Sequence, residues 1–392
     1  MASWVPWPAT SGGRMRLAIA VTALAELGDV DFFGMLRPGS ENAIVDAPVA
    51  LSRVKLVTRP PARAGGRASI GWLMGRLPRR LSGIDHTGTR AAFDAWVADH
   101  YDVEWHYRLD NFVAVGGRVA APSIVDFDDL KDQVLRTRAD LVAEQPTSRL
   151  RARLGARLAR LDARRWQRIQ AKVASAVDAA VVSGERDRGA LTAKRVVVVP
   201  NGYERPERPV GRAQVGSPPT LGFQGDLRRP PNADAARLLA TEVLPLVRRT
   251  VPDAQLRLIG PADDDVRGLG AQPGVTVTGW VDSITDELRR VDVVVAALRF
   301  GAGSPLKVAE ALAHRIPIVA TPFAIQNFDA RAGTHVLVGE SAAELASSCV
   351  QLLTDSSLRA RVSDAAGELY ERDYAADVLR TRIQALVRDV IQ

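Results

Sequence analysis

The second half of this 392-residue chain alternates short apolar runs with helical patterns, and that alternation restricts the fold more than any other feature. TLGFQGD (Thr220–Asp226), AQLRLIG (Ala254–Gly260), VTVTGW (Val275–Trp280), VDVVVAAL (Val291–Leu298) and IPIVAT (Ile316–Thr321) have strand length and strand composition. A helix from Asn232 turns Leu238, Leu239, Val243 and Leu246 toward a core, and Ala342–Leu353 and Leu358–Tyr370 read as closing helices. Strands that alternate with helices run parallel through right-handed crossovers, which is a doubly wound sheet. The first half repeats the grammar less clearly: SWVPW, VDFFGML, SRVKLV, YDVEW, PSIVDF, AAVVS and RVVVVP read as strands, with helices from Gly13, Thr89, Leu150 and Glu185. Asn201–Pro219, rich in Pro, Gly and charge, reads as a linker, with Asn201-Gly202 as a hinge. The expected fold is α/β, two doubly wound Rossmann-like domains facing a cleft: a domain over 1–200, a linker over 201–219, a domain over 220–370, and a closing helix over 371–392 packing back on the first domain. Ligands of such sheets bind beyond the carboxyl ends of the strands, so function is sought there.

Composition narrows the class. A chain this long suits two cores, and 46% hydrophobic with 25% charged residues is ordinary for a folded protein. No run supplies the ~18–20 apolar residues of a membrane span. Cys349 is the single cysteine, which excludes an intrachain disulfide and a zinc site built on several thiolates, and fits a reducing compartment. MRLAIAVTALA (Met15–Ala25) has the basic flank and small-residue end of a signal peptide, but Leu17, Val21, Leu24 and Leu27 share a helical face behind a Gly-Gly turn. A cytoplasmic chain is expected. The net charge of +7 and pI near 9.9 bring polyanions into view. Much of the charge lies in Gln145–Val177, where Leu150, Leu154, Leu158, Leu161, Ile169 and Val173 repeat at mostly helical spacing; a solvated basic face is the reading preferred to a nucleic-acid stripe. Val54–Arg80 mixes basic residues with Trp72, Leu73, Met74 and Leu77, a surface for peripheral contact with an anionic membrane or a short helix packed on its own domain.

GAGSPLKVAEALAHRIPIVATP, Gly301–Pro322, carries the chemistry. Ser304 reads as an N-cap and Pro305 as the first helical residue. Gly301 and Gly303 let another group approach the backbone, and the helix start attracts phosphate. Lys307 there opposes the helix dipole by ~0.3–1 kcal/mol unless an anion meets it. Glu310 follows one turn later, placed to accept hydrogen bonds from vicinal hydroxyls of a ribose. Phosphate plus ribose is a nucleotide; a solvated Lys–Glu pair is the competing reading.

Phe300–Phe323 resembles the donor-nucleotide motif of glycosyltransferase family 4, the retaining GT-B sugar transferases. Trp4-Val5-Pro6-Trp7-Pro8 with Ser11–Arg16 resembles that family's opening strand and glycine loop, Val181–Asp187 and Val198–Gly202 its segments closing the first domain, and Gly222–Gly225 with Pro231–Ala235 the start of its second. The resemblance implies that the first domain is the acceptor side and the second binds the donor nucleotide. It implies that Glu310 holds the donor ribose, that Lys307 and the backbone of Gly303, Ser304, Pro305 and Leu306 face the diphosphate, and that Arg228 or Arg229 adds a basic contact. Gly12 and Gly13 would let the first loop approach donor phosphate and acceptor; His106 would touch the donor sugar, and Asp126 and Asp128 would face the cleft or cap the next helix. The first Glu of the family's Glu-x7-Glu signature falls on Ala302 and is absent. The family needs no obligatory protein nucleophile and no metal, so no cofactor is expected beyond the nucleoside diphosphate sugar; Asp29-Val30-Asp31 and Asp126-Phe127-Asp128 have Asp-x-Asp spacing in the wrong domain. The implied activity is sugar transfer to an acceptor hydroxyl with retention. Alternatives are a catalytically inactive partner protein, a nucleotide-sugar epimerase, and a polyanion-binding protein using Ser148–Lys172.

Overall fold

The computed structural model describes every residue except 39–46, 62–71, 98–99, 118–120, 145–149, 212–214, 217 and 302, with side chains at 141–144 and 150–152 also outside the description. The chain forms two compact units, Met1–Asn201 with Leu379–Gln392, and Gly202–Val378.

In the first unit β1 (Asp31–Leu36) and β2 (Arg53–Thr58) pair in parallel, as do β3 (Glu104–Tyr107), β4 (Ser123–Asp128), β5 (Ala179–Val182) and β6 (Val196–Val198) in that order. Met1 and Ala2 join the two groups: Ala2 N donates to Phe33 O at 3.0 Å, Met35 N to Ala2 O at 2.8 Å, and Tyr107 N to Met1 O at 2.9 Å. The expected strand SWVPW is therefore corrected to a two-residue pairing just before it, because Pro6 and Pro8 have no N–H for a ladder. β4 and β5 are buried throughout, as parallel strands covered on both faces must be, and Val125, Phe127, Ala180 and Val182 pack with Trp166, Val173 and Val177.

Trp166 and Val173 lie on the 27-residue helix Leu150–Ala176. Its covered face is Ala156, Ala163, Trp166, Gln170, Val173 and Ala174, whereas Leu154, expected on that face, is 56% exposed. Val173 and Ile169 of the expected face pack inward, and alanines rather than Leu154 complete the seam. Gln384 Nε2 donates to Glu26 Oε2 at 2.6 Å and Asp389 pairs with Arg195 at 3.3 Å, tying the last helix, Ala376–Ile391, into this unit from Leu379 onward.

The second unit holds a six-stranded parallel sheet in the order β12-β11-β10-β7-β8-β9, formed by β7 (Thr220–Gln224), β8 (Gln255–Ile259), β9 (Val275–Val277), β10 (Val293–Ala296), β11 (Ile318–Ala320) and β12 (Leu337–Val338). β12, two residues long, has no readable sequence pattern. Gly222 is demanded by packing, since a Cβ there would come within 2.6 Å of Val291 Cγ2. The helix expected from Asn232 starts at Pro230 and passes through a π-helical turn at Leu239–Val243 before Leu244–Val247. Pro245 explains the wider turn: it has no N–H, and its ring displaces the preceding carbonyl. Ser341 and Glu344 close a capping box on Ala342–Thr354. No helix among the described residues is long and apolar enough to cross a membrane.

Candidate functional site

The second unit's candidate site forms where β7 and β8 end and the helix Leu306–Ala313 begins. Gly225 (φ 144°) follows β7 and Gly260 (φ 128°) follows β8; Gly225 N donates to Ile259 O at 2.9 Å, and a Cβ on Gly260 would lie 2.0 Å from Gly225 O. Neither position tolerates a side chain. The helix starts at Leu306 with Pro305 (φ −62°, ψ 118°) as its cap, which corrects the expected Ser304 cap and Pro305 first position by one residue. Proline's fixed φ suits either position, and its extended ψ makes it the cap here. Gly303 has φ 75°, and its carbonyl accepts from Asn327 Nδ2 at 3.0 Å.

Lys307 and Glu310 are both buried, 7% and 5% exposed, so the solvated-pair reading does not describe them. Lys307 Nζ donates to Asn232 Oδ1 at 2.7 Å, sits 4.1 Å above the Phe223 ring, and would lie 3.5 Å from a Cβ at Gly225. Burial pulls its pKa down to about 7, with the Glu310 charge opposing. Glu310 accepts from Gln224 Nε2 at 3.0 Å and from the Tyr203 hydroxyl; burial raises its pKa against those donors and Lys307. A carboxylate accepts about four hydrogen bonds, so two protein donors leave room for a diol. Gln224 Oε1 is buried with no hydrogen-bond partner. The result is an amine and a carboxylate in a desolvated pocket bordered by glycines that carry no side chain, an arrangement suited to a phosphate and a hydroxylated ring.

Asn232, Gln224 and Tyr203 were not among the expected residues. Gln224 had a signal, being a polar residue at the end of the otherwise apolar buried run TLGFQ. Asn232 lies on the first turn of the helix that opens after β7, and its Nδ2 donates to Asp226 O at 2.9 Å. Tyr203 had none: it lies in the linker, clamped where Tyr370 Oη donates to its carbonyl at 3.0 Å and its own N–H donates to Tyr374 O at 3.1 Å. Arg228 and Arg229 flank the same loop but are exposed. Arg228 Nε donates to Asp226 Oδ1 at 2.7 Å, and Arg229 stands 3.7 Å from the same carboxylate. Ala302 lies outside the described residues.

The remaining expected residues belong to the first unit. Gly12 and Gly13 open the helix Gly12–Ala25, and a Cβ on Gly13 would meet Trp4 Cζ2 at 2.9 Å, so glycine is already required there by the protein's own packing. His106 is 1% exposed, enclosed in β3 with Glu104 Oε2 at 3.0 Å and the Phe112 ring at 4.9 Å, and burial lowers its pKa. Asp126 neither faces open space nor caps a helix: Arg16 grips it through Nε–Oδ2 and Nη2–Oδ1, both 2.8 Å. Asp128 (φ 57°) accepts from the Tyr107 hydroxyl at 3.1 Å. Asp31 is bound by Arg53 and Tyr101. Of the Val54–Arg80 surface, 62–71 lie outside the described residues; Trp72 is buried with Nε1 donating to Asp162, while Leu73, Met74 and Leu77 are exposed. On the basic helix Leu150–Ala176, Arg165 turns inward to the carbonyls of Trp72, Leu73 and Leu77, leaving less of the charge for a polyanion.

Comparison with known proteins bears on the fold that carries this site. Residues 218–355 match the family model for glycosyl transferases group 1. Solved structures match nearly end to end: sucrose-phosphate synthase from Thermosynechococcus elongatus (14% identity, TM-score 0.68, 96% of this chain and 93% of that one), and Anabaena HepE in complex with UDP and glucose (12%, 0.64, 99% and 98%). An E. coli trehalose-6-phosphate protein bound with UDP-2-fluoro glucose also matches (13%, 0.61, 96% and 96%). No curated protein sequence matches. The chain has the GT-B fold of these glycosyltransferases.

Proposed function

We propose that the protein transfers a sugar from a nucleoside diphosphate sugar to an acceptor hydroxyl with retention at the anomeric carbon, as the family 4 resemblance implies. The observation that carries the reading is the buried Lys307–Glu310 pair, one helical turn apart beside Gly225 and Gly303, which hold positive φ and carry no side chain. That two structural relatives hold UDP or a UDP-sugar supports a nucleotide of this kind as the donor's leaving part.

In this reading Lys307 meets the diphosphate and stabilises the charge that grows on it as the glycosidic bond breaks. Glu310, oriented by Gln224 and Tyr203, accepts from the ribose hydroxyls. Gly225 and Gly303 let backbone come close to the phosphates, and Arg228 and Arg229 add long-range attraction from the rim. No step requires a metal or a protein nucleophile: the departing diphosphate takes the acceptor proton on the face from which it leaves.

The test is incubation of the purified chain with UDP-, GDP-, dTDP- and ADP-sugars and simple alcohol acceptors, with and without chelator. Release of one nucleoside diphosphate, an axial product from an axial donor by NMR, and indifference to chelator support the reading. A product that forms without acceptor indicates an epimerase, and absence of any turnover despite nucleotide binding indicates a non-catalytic partner.

A further inference from the structure

In the first unit, β1, β2 and β3 are each followed by an arginine: Leu36 by Arg37, Thr58 by Arg59 and Tyr107 by Arg108. Arg59 N donates to Leu36 O at 2.7 Å and Arg108 N to Asp126 O at 2.7 Å, so both are pinned at the sheet's carboxyl edge. They converge on Asp110, which is 1% exposed: Arg80 Nη2 lies 2.9 Å and Arg59 Nη2 3.9 Å from Oδ2, and Arg108 Nε 3.6 Å from Oδ1. These contacts are close in charge but poor in alignment, for neither Asp110 oxygen, nor Arg108 Nε, nor either ring nitrogen of His86, 7% exposed, has a hydrogen-bond partner. Arg108 holds this place at φ 75°, an unfavourable backbone for a long side chain. Burial alone would raise the Asp110 pKa; Arg108 and Arg80, with Lys131 and Arg59, hold it well below the carboxylate range instead.

We infer that this arginine cluster is a binding site for a phosphate group carried by the acceptor. Arg37, Arg59, Arg80, Arg108 and Lys131 outnumber the neighbouring Asp110, Asp128 and Asp129 by two charges at the carboxyl edge of the sheet, which matches a phosphomonoester at about −1.5 to −2. The unpartnered Arg108 Nε and the neighbouring guanidiniums of Arg59 and Arg80 offer the planar donors that phosphate takes. Arg80, 45% exposed, and Arg37, also exposed, keep the cluster open to solvent on one side. The Arg16–Asp126 pair shows the alternative: a guanidinium saturated by its carboxylate has no such capacity.

Identifying the ligand as the acceptor rests on the glycosyl-transfer reading; the anion site itself does not. The experiment uses the full chain carrying Lys307→Ala, so that the donor pocket is weakened, and titrates inorganic phosphate, glucose 6-phosphate and vesicles containing phosphatidic acid in phosphate-free buffer. Binding of any of these that weakens roughly tenfold or more in Arg59→Gln/Arg80→Gln supports the site. Phosphate or sugar phosphate indicates a soluble acceptor, vesicles alone a lipid headgroup. Asp110→Asn removes the competing carboxylate and is expected to tighten binding, a gain that misfolding cannot imitate. Equal binding with and without the arginines, or no tightening in Asp110→Asn, overturns the inference. A donor pocket that fails to bind nucleotide in the unmodified chain would leave the phosphate result intact and remove only the identification of the ligand as an acceptor.

Discussion

The carboxyl edges of the two parallel sheets handle charge in opposite ways. The second unit presents one buried lysine and one buried glutamate, each with protein hydrogen-bond partners, framed by glycines at positive φ. The first presents many charged side chains, some saturated, as Arg16 and Asp126 are, and some not, as around Asp110. The difference teaches that a charged residue at a strand end is informative through its unused hydrogen-bonding capacity rather than through its charge. Arg16 has little left to offer a ligand, because its guanidinium also donates to Val199 O and to Asn201 Oδ1 at 3.3 Å.

The sharpest way to break this contrast is to cut the saturated pair. Asp126→Ala leaves Arg16 buried and uncompensated, and is expected to lose ~3–5 kcal/mol of stability by denaturant unfolding. Nucleotide affinity measured on the folded fraction should not change, because Asp126 and the Lys307 pocket lie in different units. An intact fold with altered nucleotide binding would reverse the roles assigned here.

Lys307→Ala should instead leave the fold standing and weaken nucleoside diphosphate binding by ~1.5–3 kcal/mol, roughly ten- to a hundredfold in Kd by calorimetry. Glu310→Ala removes the acceptor of Gln224 and Tyr203 as well as the diol contact, so it should lower stability by ~1–3 kcal/mol in addition to affinity. Tyr203→Phe, losing one hydrogen bond, should cost about 1 kcal/mol of stability.

The depressed lysine gives a pH signature. Its folded value of about 7 lies below the ordinary 10.5, so the unfolded chain holds the proton more tightly, and the stability contribution of Lys307 rises with pH across that interval. A bound diphosphate raises the folded value, so nucleotide affinity should be flat below about pH 7 and fall by up to about tenfold per unit above it. Lys307→Ala should abolish both slopes. The smallest effect belongs to Arg228→Ala: an exposed, solvent-screened pair with Asp226 should leave the denaturation midpoint essentially unchanged.

Most strands and the Gly301–Glu310 segment were legible because each rests on local pattern. Apolar runs between helices define a buried parallel sheet, and Gly-x-Gly-Ser-Pro before a helix with Lys307 and Glu310 inside it has few competing explanations. What stayed hidden depends on chain segments far apart in sequence. Tyr203 reaches Glu310 only because the 370–374 turn clamps the linker. The glycine of the first loop resembled a ligand-binding glycine, yet Trp4 and Tyr107 already fill the space a side chain at Gly13 would need. The arginines after β1, β2 and β3 are separated by 22 and 49 residues, and only the sheet shows that they follow consecutive strand ends.

Calorimetric titration of UDP, GDP, dTDP and ADP into the unmodified chain and Lys307→Ala, from pH 6 to pH 9 in chelator, tests the donor pocket most directly. The expected result is one base bound tightly at pH 6, weaker with each unit above about 7, and at least tenfold weaker and pH-independent in the variant. Equal affinity in both proteins, with the same pH profile, would place the nucleotide elsewhere and contradict the assignment of Lys307.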